Sequence, residues 1–150
     1  MKNIDKLKSF LFDAKQNTFI RGAKKEASSR PNSKDYAFKK YNYYYLDSHI
    51  GKSNIIGEEI VWQNEKLAWG MNYKSMQLTD SLPSGFNKFL KLSLKNMDKD
   101  FPVRGPKEFI ENKFKYVCSY EGDIESFNGS EYIYYDNDLI YELFFHGGNL

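Results

Sequence analysis

Residues 44–75 and 115–147 can be laid over one another with a single inserted residue. Gly51 then meets Gly122. Beyond the insertion Gly57 meets Gly129, Glu59 meets Glu131, Trp62 meets Tyr134, Leu67 meets Leu139, Trp69 meets Tyr141 and Tyr73 meets Phe145. Self-similarity of this kind marks a chain built from repeated supersecondary units. Each copy reads as three strands: 43–48, 58–63 and 67–73 in the first, 114–120, 131–135 and 139–145 in the second. Their side chains alternate between the two faces of a sheet. The polar links "QNEK" and "DND" are of hairpin type. Gly51, Gly57, Gly122 and Gly129 bracket the connection between the first two strands of each copy, where glycine permits a positive φ or a bulge.

A helix precedes each copy. "IDKLKSFLFDAKQ" places Ile4, Leu7, Phe10, Leu11 and Ala14 on one face, and "SGFNKFLKLSLKNM" does the same with Phe86, Phe89, Leu90, Leu94 and Met97. Ser84, just after Pro83, is the expected N-cap of the second helix. The expected fold is therefore α+β: a duplicated helix plus three-stranded antiparallel meander, about six strands, both helices on one sheet face, and a pseudo-twofold relating the halves. At 150 residues this makes a single domain of two repeats, about 1–76 and 82–149.

Composition narrows the function classes. The apolar share of 41% supplies a core, and no apolar run reaches the length of a membrane span. The first fifteen residues, "MKNIDKLKSFLFDAK", are charged throughout and lack the apolar core of a secretory leader. Cys118 is the only cysteine, so no intrachain disulfide forms. These features point to a cytoplasmic protein with no membrane partner. A net charge of +2 is too weak for phosphate-driven binding. The aromatic runs "YNYYYL" and "EYIYY" lack the basic groove that single-strand stacking requires, so no nucleic acid is expected.

Five segments carry a resemblance: "SRPNSKDYAF", "IGEEIVWQNEKLAWGMNY", "VRGPKEF", "YVCSYEGDIESFNGSEYIYY" and "YELFFHGG". Over roughly residues 8–149 the chain resembles an uncharacterised bacterial family, a domain of unknown function that occurs alone or C-terminal to helix-turn-helix regulators. The family brings no activity and no functional residues. The resemblance implies a stand-alone relative of effector-sensing or oligomerising domains. A looser likeness is to the ligand-binding domains of multidrug-sensing and gyrase-inhibitor-like regulators, and fold likeness alone does not fix function.

The stretch "SSRPNSKDYAF", residues 28–38, has no counterpart in the second copy. It is expected to fold over one end of the sheet, with Arg30, Lys34, Asp35 and Tyr36 near the mouth of a pocket; the alternative is a plain surface turn at Pro31. Alternation places Trp69, Met71 and Tyr73 on one face. Ile60 and Trp62 are expected to pack with them under the helices. The opposite face, holding Gly70, Glu59 and Asn72 and by correspondence Glu131 and His146, is the expected ligand site. Trp62, Trp69 and Tyr73 would supply stacking, and Arg30 or Lys34 would meet an anionic group. Glu59 and Glu131 could act as paired carboxylates, or simply pair with Arg21 or Arg104. His49, His146 and Cys118 have no metal-ligand or nucleophile spacing, so no catalytic residue, metal or cofactor is assigned. "HGG" near the end reads as a flexible tail. Three functions remain: a non-enzymatic small-molecule-binding or sensor-like module, a homodimeric protein-interaction module, and, least favoured, an enzyme using Glu59, Glu131 or His146.

Overall fold

The computed structural model describes residues 3–150, so the first two residues of the segment judged to lack a leader lie outside it. The chain runs α1 (Asn3–Gln16), β1 (Lys34–Lys40), β2 (Tyr43–Gly51), β3 (Ile55–Gln63), β4 (Lys66–Gln77), α2 (Phe86–Lys95), β5 (Glu108–Glu111), β6 (Phe114–Asp123), β7 (Ser126–Tyr135) and β8 (Asp138–Asn149). All eight strands form one antiparallel sheet in the order β1-β2-β3-β4-β8-β7-β6-β5. The six-stranded arrangement of two meanders expected from the sequence is thus corrected to eight strands in a continuous sheet. The pseudo-twofold duplication is not shown by it.

The two strands that the sequence reading lacked, β1 and β5, are the two edges. An edge strand has one pairing side and little need of a full apolar face. "KDYAFKK" and "EFIE" accordingly carry charge at their ends and no sustained alternation. The stretch 28–38 is therefore half loop and half strand, since Lys34 onward pairs with β2. The "HGG" segment is strand as well: His146, Gly147 and Gly148 pair with Asn72, Met71 and Gly70.

Hairpin chemistry explains the tight links. Asn64 and Glu65, and Asp136 and Asn137, all have positive φ. That is the two-residue turn whose twist matches the flanking strands. Gly51 and Gly122 also have positive φ, whereas Gly57 and Gly129 sit inside strands beneath the rings of Tyr73 and Phe145, their pairing partners. At the start of α2 the N-cap is Gly85, with φ 88° and no side-chain cap bond, rather than Ser84.

One face of the sheet carries the core. Leu7, Phe10, Leu11 and Ala14 of α1 and Phe86, Phe89, Leu90 and Leu94 of α2 pack there with Tyr45, Val61, Trp69, Met71, Tyr116, Ile133, Leu143 and Phe145. The facing helical stripes bury apolar area at about 25 cal/mol per Å². The bulge between Val61 and Trp62 disturbs the register of β3 against β4. The other sheet face is left open.

Candidate functional site

The two faces hold different chemistry. Under the helices lies a cluster of charges, most of it fully buried. Asp47 on β2 and Glu59 on β3 are register partners, and both point toward the helices. Lys15, in the last turn of α1, reaches Glu59 Oε2 at 2.7 Å and also donates to the Val103 carbonyl. The ion pair lies outside hydrogen-bond geometry, leaving Glu59 Oε2 with no hydrogen-bond donor. Tyr73 donates to Asp47 Oδ1 at 2.6 Å. Beside this, Arg104 grips Glu131 with two bonds of 2.6 and 2.8 Å, and Tyr116 donates to the same carboxylate at 2.6 Å.

Electrostatics follow from burial. Burial first, and the neighbouring Glu59 carboxylate second, push the Asp47 carboxyl up to about 7 against the pull of the Tyr73 hydrogen bond. Burial pulls the Lys15 ammonium below its usual value, opposed by Glu59. Burial drives the Cys118 thiol up to about 12, so it is an inert buried group and not a nucleophile. Counting Lys15 and Arg104 against Glu59 and Glu131, the cluster is neutral when Asp47 keeps its proton. The void that Lys15, Asp47, Glu59 and Arg104 line is about 30 Å³, the scale of a buried water rather than a ligand.

The open face holds a larger depression of about 520 Å³, within the range of small-molecule sites. Gly70 and Gly148, directly paired across the central strands, form its floor. Register lines up Glu58, Asn72, His146 and Asn128 across β3, β4, β8 and β7. Ile60 and Leu150 form an apolar wall, and Glu58 and Glu125 put carboxylates on the rim. A second hollow of about 650 Å³ lies at the β1–β2 and β3–β4 turns, lined by Tyr41, Tyr44 and Trp62. It is built largely of turn and strand-end residues, and its polar lining is Lys39, Asn42, Asn64 and Glu65.

The residues expected at one site are therefore divided among three places. Asn72 and His146 meet on the open face. Glu59, Trp69, Tyr73 and Glu131 lie on the covered face, and Trp69 donates to the Ile124 carbonyl at 2.9 Å. Trp62 packs near Tyr44 on the open side, with ring centroids 5.5 Å apart. The expected face of the second strand is thus reversed: Glu59 and Val61 go inward, Ile60 and Trp62 outward. The third place is the β1 corner. Arg30 donates to the Ser48 carbonyl and hydroxyl, and Asp35, 1% exposed, accepts from the Ser29 amide and the Ser48 hydroxyl. Lys34 is exposed, and Tyr36 stacks near His49. That corner is not at the mouth of the Gly70 depression, whose lining contains none of these four residues.

Sequence reasoning missed Lys15 and Asp47. The signal was present in the period: Asp47 follows Tyr43 and Tyr45 at every second position, and Lys15 lies four residues after Leu11 on the apolar stripe. Glu131 makes the pair with Arg104 that the sequence offered, whereas Glu59 takes Lys15 and not Arg21.

Among the described residues no group of His, Cys, Asp and Glu is arranged to hold a metal, and no helix is long and apolar enough to cross a membrane. A domain family described as "Domain of unknown function (DUF5680)" matches residues 47–150. No curated protein and no solved structure matches the chain.

Proposed function

The chain belongs to the DUF5680 family, and for this member we propose a non-enzymatic small-molecule-binding, sensor-like module whose ligand lies in the Gly70–Gly148 depression. The observation that carries this reading is the glycine-floored hollow beside the Glu58–Asn72–His146–Asn128 row. Over Gly70 the floor is covered only by the flexible ends of Ile60 and Leu150, which a ligand displaces, whereas at Gly148 the Glu125 carbonyl fills the place of a side chain; the row beside them offers hydrogen bonds. Glu58 and Glu125 on the rim favour a small amphipathic cation, its apolar part against Ile60 and Leu150. This replaces the anionic ligand expected from Arg30 and Lys34. An enzyme built on Glu59 and Glu131 is less well supported, because both carboxylates are buried and paired with cations. A bacterial, cytoplasmic setting, and kinship with effector-sensing domains joined to helix-turn-helix regulators, belong to the same proposal.

The test is a nuclear magnetic resonance screen with small aliphatic and aromatic amines. Binding should shift signals of Gly70, Asn72 and His146 together. Glu58→Gln should weaken it about tenfold, the value of one charge-assisted contact. Gly70→Val should abolish it, since a Cβ there already stands 3.0 Å from Ile60 and 3.1 Å from Leu150. Shifts scattered over the surface, or binding unchanged in Gly70→Val, would refute the site.

A further inference from the structure

Beyond the depression, the open face changes character. Ile56 is 55% exposed and Phe144 50% exposed, with Ile50 and Met76 also uncovered. Ile50, Ile56, Lys74 and Phe144 run as one cross-strand row over β2, β3, β4 and β8. The next row brings Met76, Glu142 and Tyr132 together, and Tyr132 meets the Phe144 ring edge-on at 6.3 Å. Large apolar side chains contiguous on a surface mark a contact site more than scattered ones do.

The centre of this patch has one cation and one anion. Lys74 pairs with Phe144, and Met76 pairs with Glu142, so the four residues are the corners of a rectangle with Lys74 and Glu142 on one diagonal. Diagonal neighbours on a sheet stand about 7–8 Å apart. Among the described residues neither Lys74 nor Glu142 is in an ion pair. A two-fold axis lying in the plane of contact and bisecting that diagonal exchanges the two charges. It sets Lys74 of each copy against Glu142 of the other. The remaining corners, Phe144 and Met76, lie close to that axis and meet their own copies. A patch that complements itself in this way is what an isologous interface requires.

We propose that the Ile56–Lys74–Phe144–Glu142 patch is a homodimer interface, with a second copy of this chain as its occupant. The two-fold pairs Lys74 with Glu142 twice and buries the exposed isoleucine and phenylalanine side chains. The contact lies beside the Gly70–Gly148 depression and does not depend on that site binding anything. Neither Lys74 nor Glu142 lines the depression.

Sedimentation velocity on the full chain, at concentrations up to on the order of 100 µM, decides it. The wild type should sediment as a concentration-dependent dimer. Lys74→Glu faces glutamate with glutamate across the axis and should weaken association by about tenfold or more. The double variant Lys74→Glu/Glu142→Lys restores opposite charges across the axis and should return the dimer to near wild-type strength. Phe144→Ser should give monomers with an unchanged circular dichroism spectrum. A monomeric wild type over the whole range overturns the proposal. So does a dimer indifferent to Lys74→Glu and Phe144→Ser, or a charge-swapped variant that stays as weak as the single one.

Discussion

Asp47 is the residue whose ionisation matters most to stability. In the folded chain its carboxyl keeps a proton up to about pH 7; in the unfolded chain it loses it at about pH 4. The native state therefore binds more protons between these values. The stability from this group is fully present below about pH 4 and is lost as pH rises toward 7. Asp47→Asn imitates the protonated acid while still accepting from Tyr73. Urea unfolding should show it more stable than wild type at pH 8, by about 1–3 kcal/mol, with the difference vanishing at pH 4. Equal pH profiles for the two proteins would contradict this account. Glu131→Ala strands the Arg104 guanidinium and the Tyr116 hydroxyl and should cost about 3–5 kcal/mol, read as a lowered denaturation midpoint with unchanged slope. Gly57 has a different role. A Cβ there would overlap the Tyr73 ring, which must lie flat on the strand for its hydroxyl to reach Asp47 at 2.6 Å. Gly57→Ala should cost about 1–3 kcal/mol and also alter the pH profile, because it displaces the hydrogen-bond donor of Asp47.

Among the elements, those with strong periodicity were legible in the sequence and those without it were not. The stripe of α1 and the alternation of β4 and β8 each bury a full face, so burial writes a pattern into the chain. β1 and β5 pair on one side only, so "KDYAFKK" and "EFIE" have few obligatory apolar positions. The site was harder to read than the fold for a related reason. Period two says which side chains share a face, not which face the helices cover. Ile60 and Trp62 are larger than Glu59 and were expected inward, yet Glu59 is the one covered, because Lys15 arrives from α1 to neutralise it. No local signal in β3 announces a partner 44 positions earlier in the chain. The edges should also differ in dynamics. Amide exchange should be fastest in β1 and β5 and slowest in the paired centres of β4 and β8, since local opening needs least at an edge. Uniform protection across all eight strands would count against this ordering.

For the whole molecule, the seam between β4 and β8 joins everything contributed before α2 to everything after it. Trp69 pairs with Asn149 and Gln77 with Tyr141, so the seam closes only between distant parts of the chain. The family match begins at Asp47 and omits α1 and β1. A fragment 47–150 would keep Glu59 without Lys15 and lose the Leu7, Phe10, Leu11 and Ala14 side chains of the core, together with β1 and the Tyr43–Leu46 start of β2. It should lack a cooperative thermal transition, and a sharp melt from such a fragment would show that α1, β1 and the start of β2 are together dispensable. The seam has a further consequence during synthesis. β4 spans twelve residues, and its partner β8 is made about sixty residues later, several seconds at ribosomal speed. In that interval β4 is the raw rim of a nascent sheet, long and rich in apolar side chains, and open to strands of neighbouring nascent chains. Crowded polysomes and rapid overexpression should therefore favour strand-exchanged oligomers, and slower translation should suppress them.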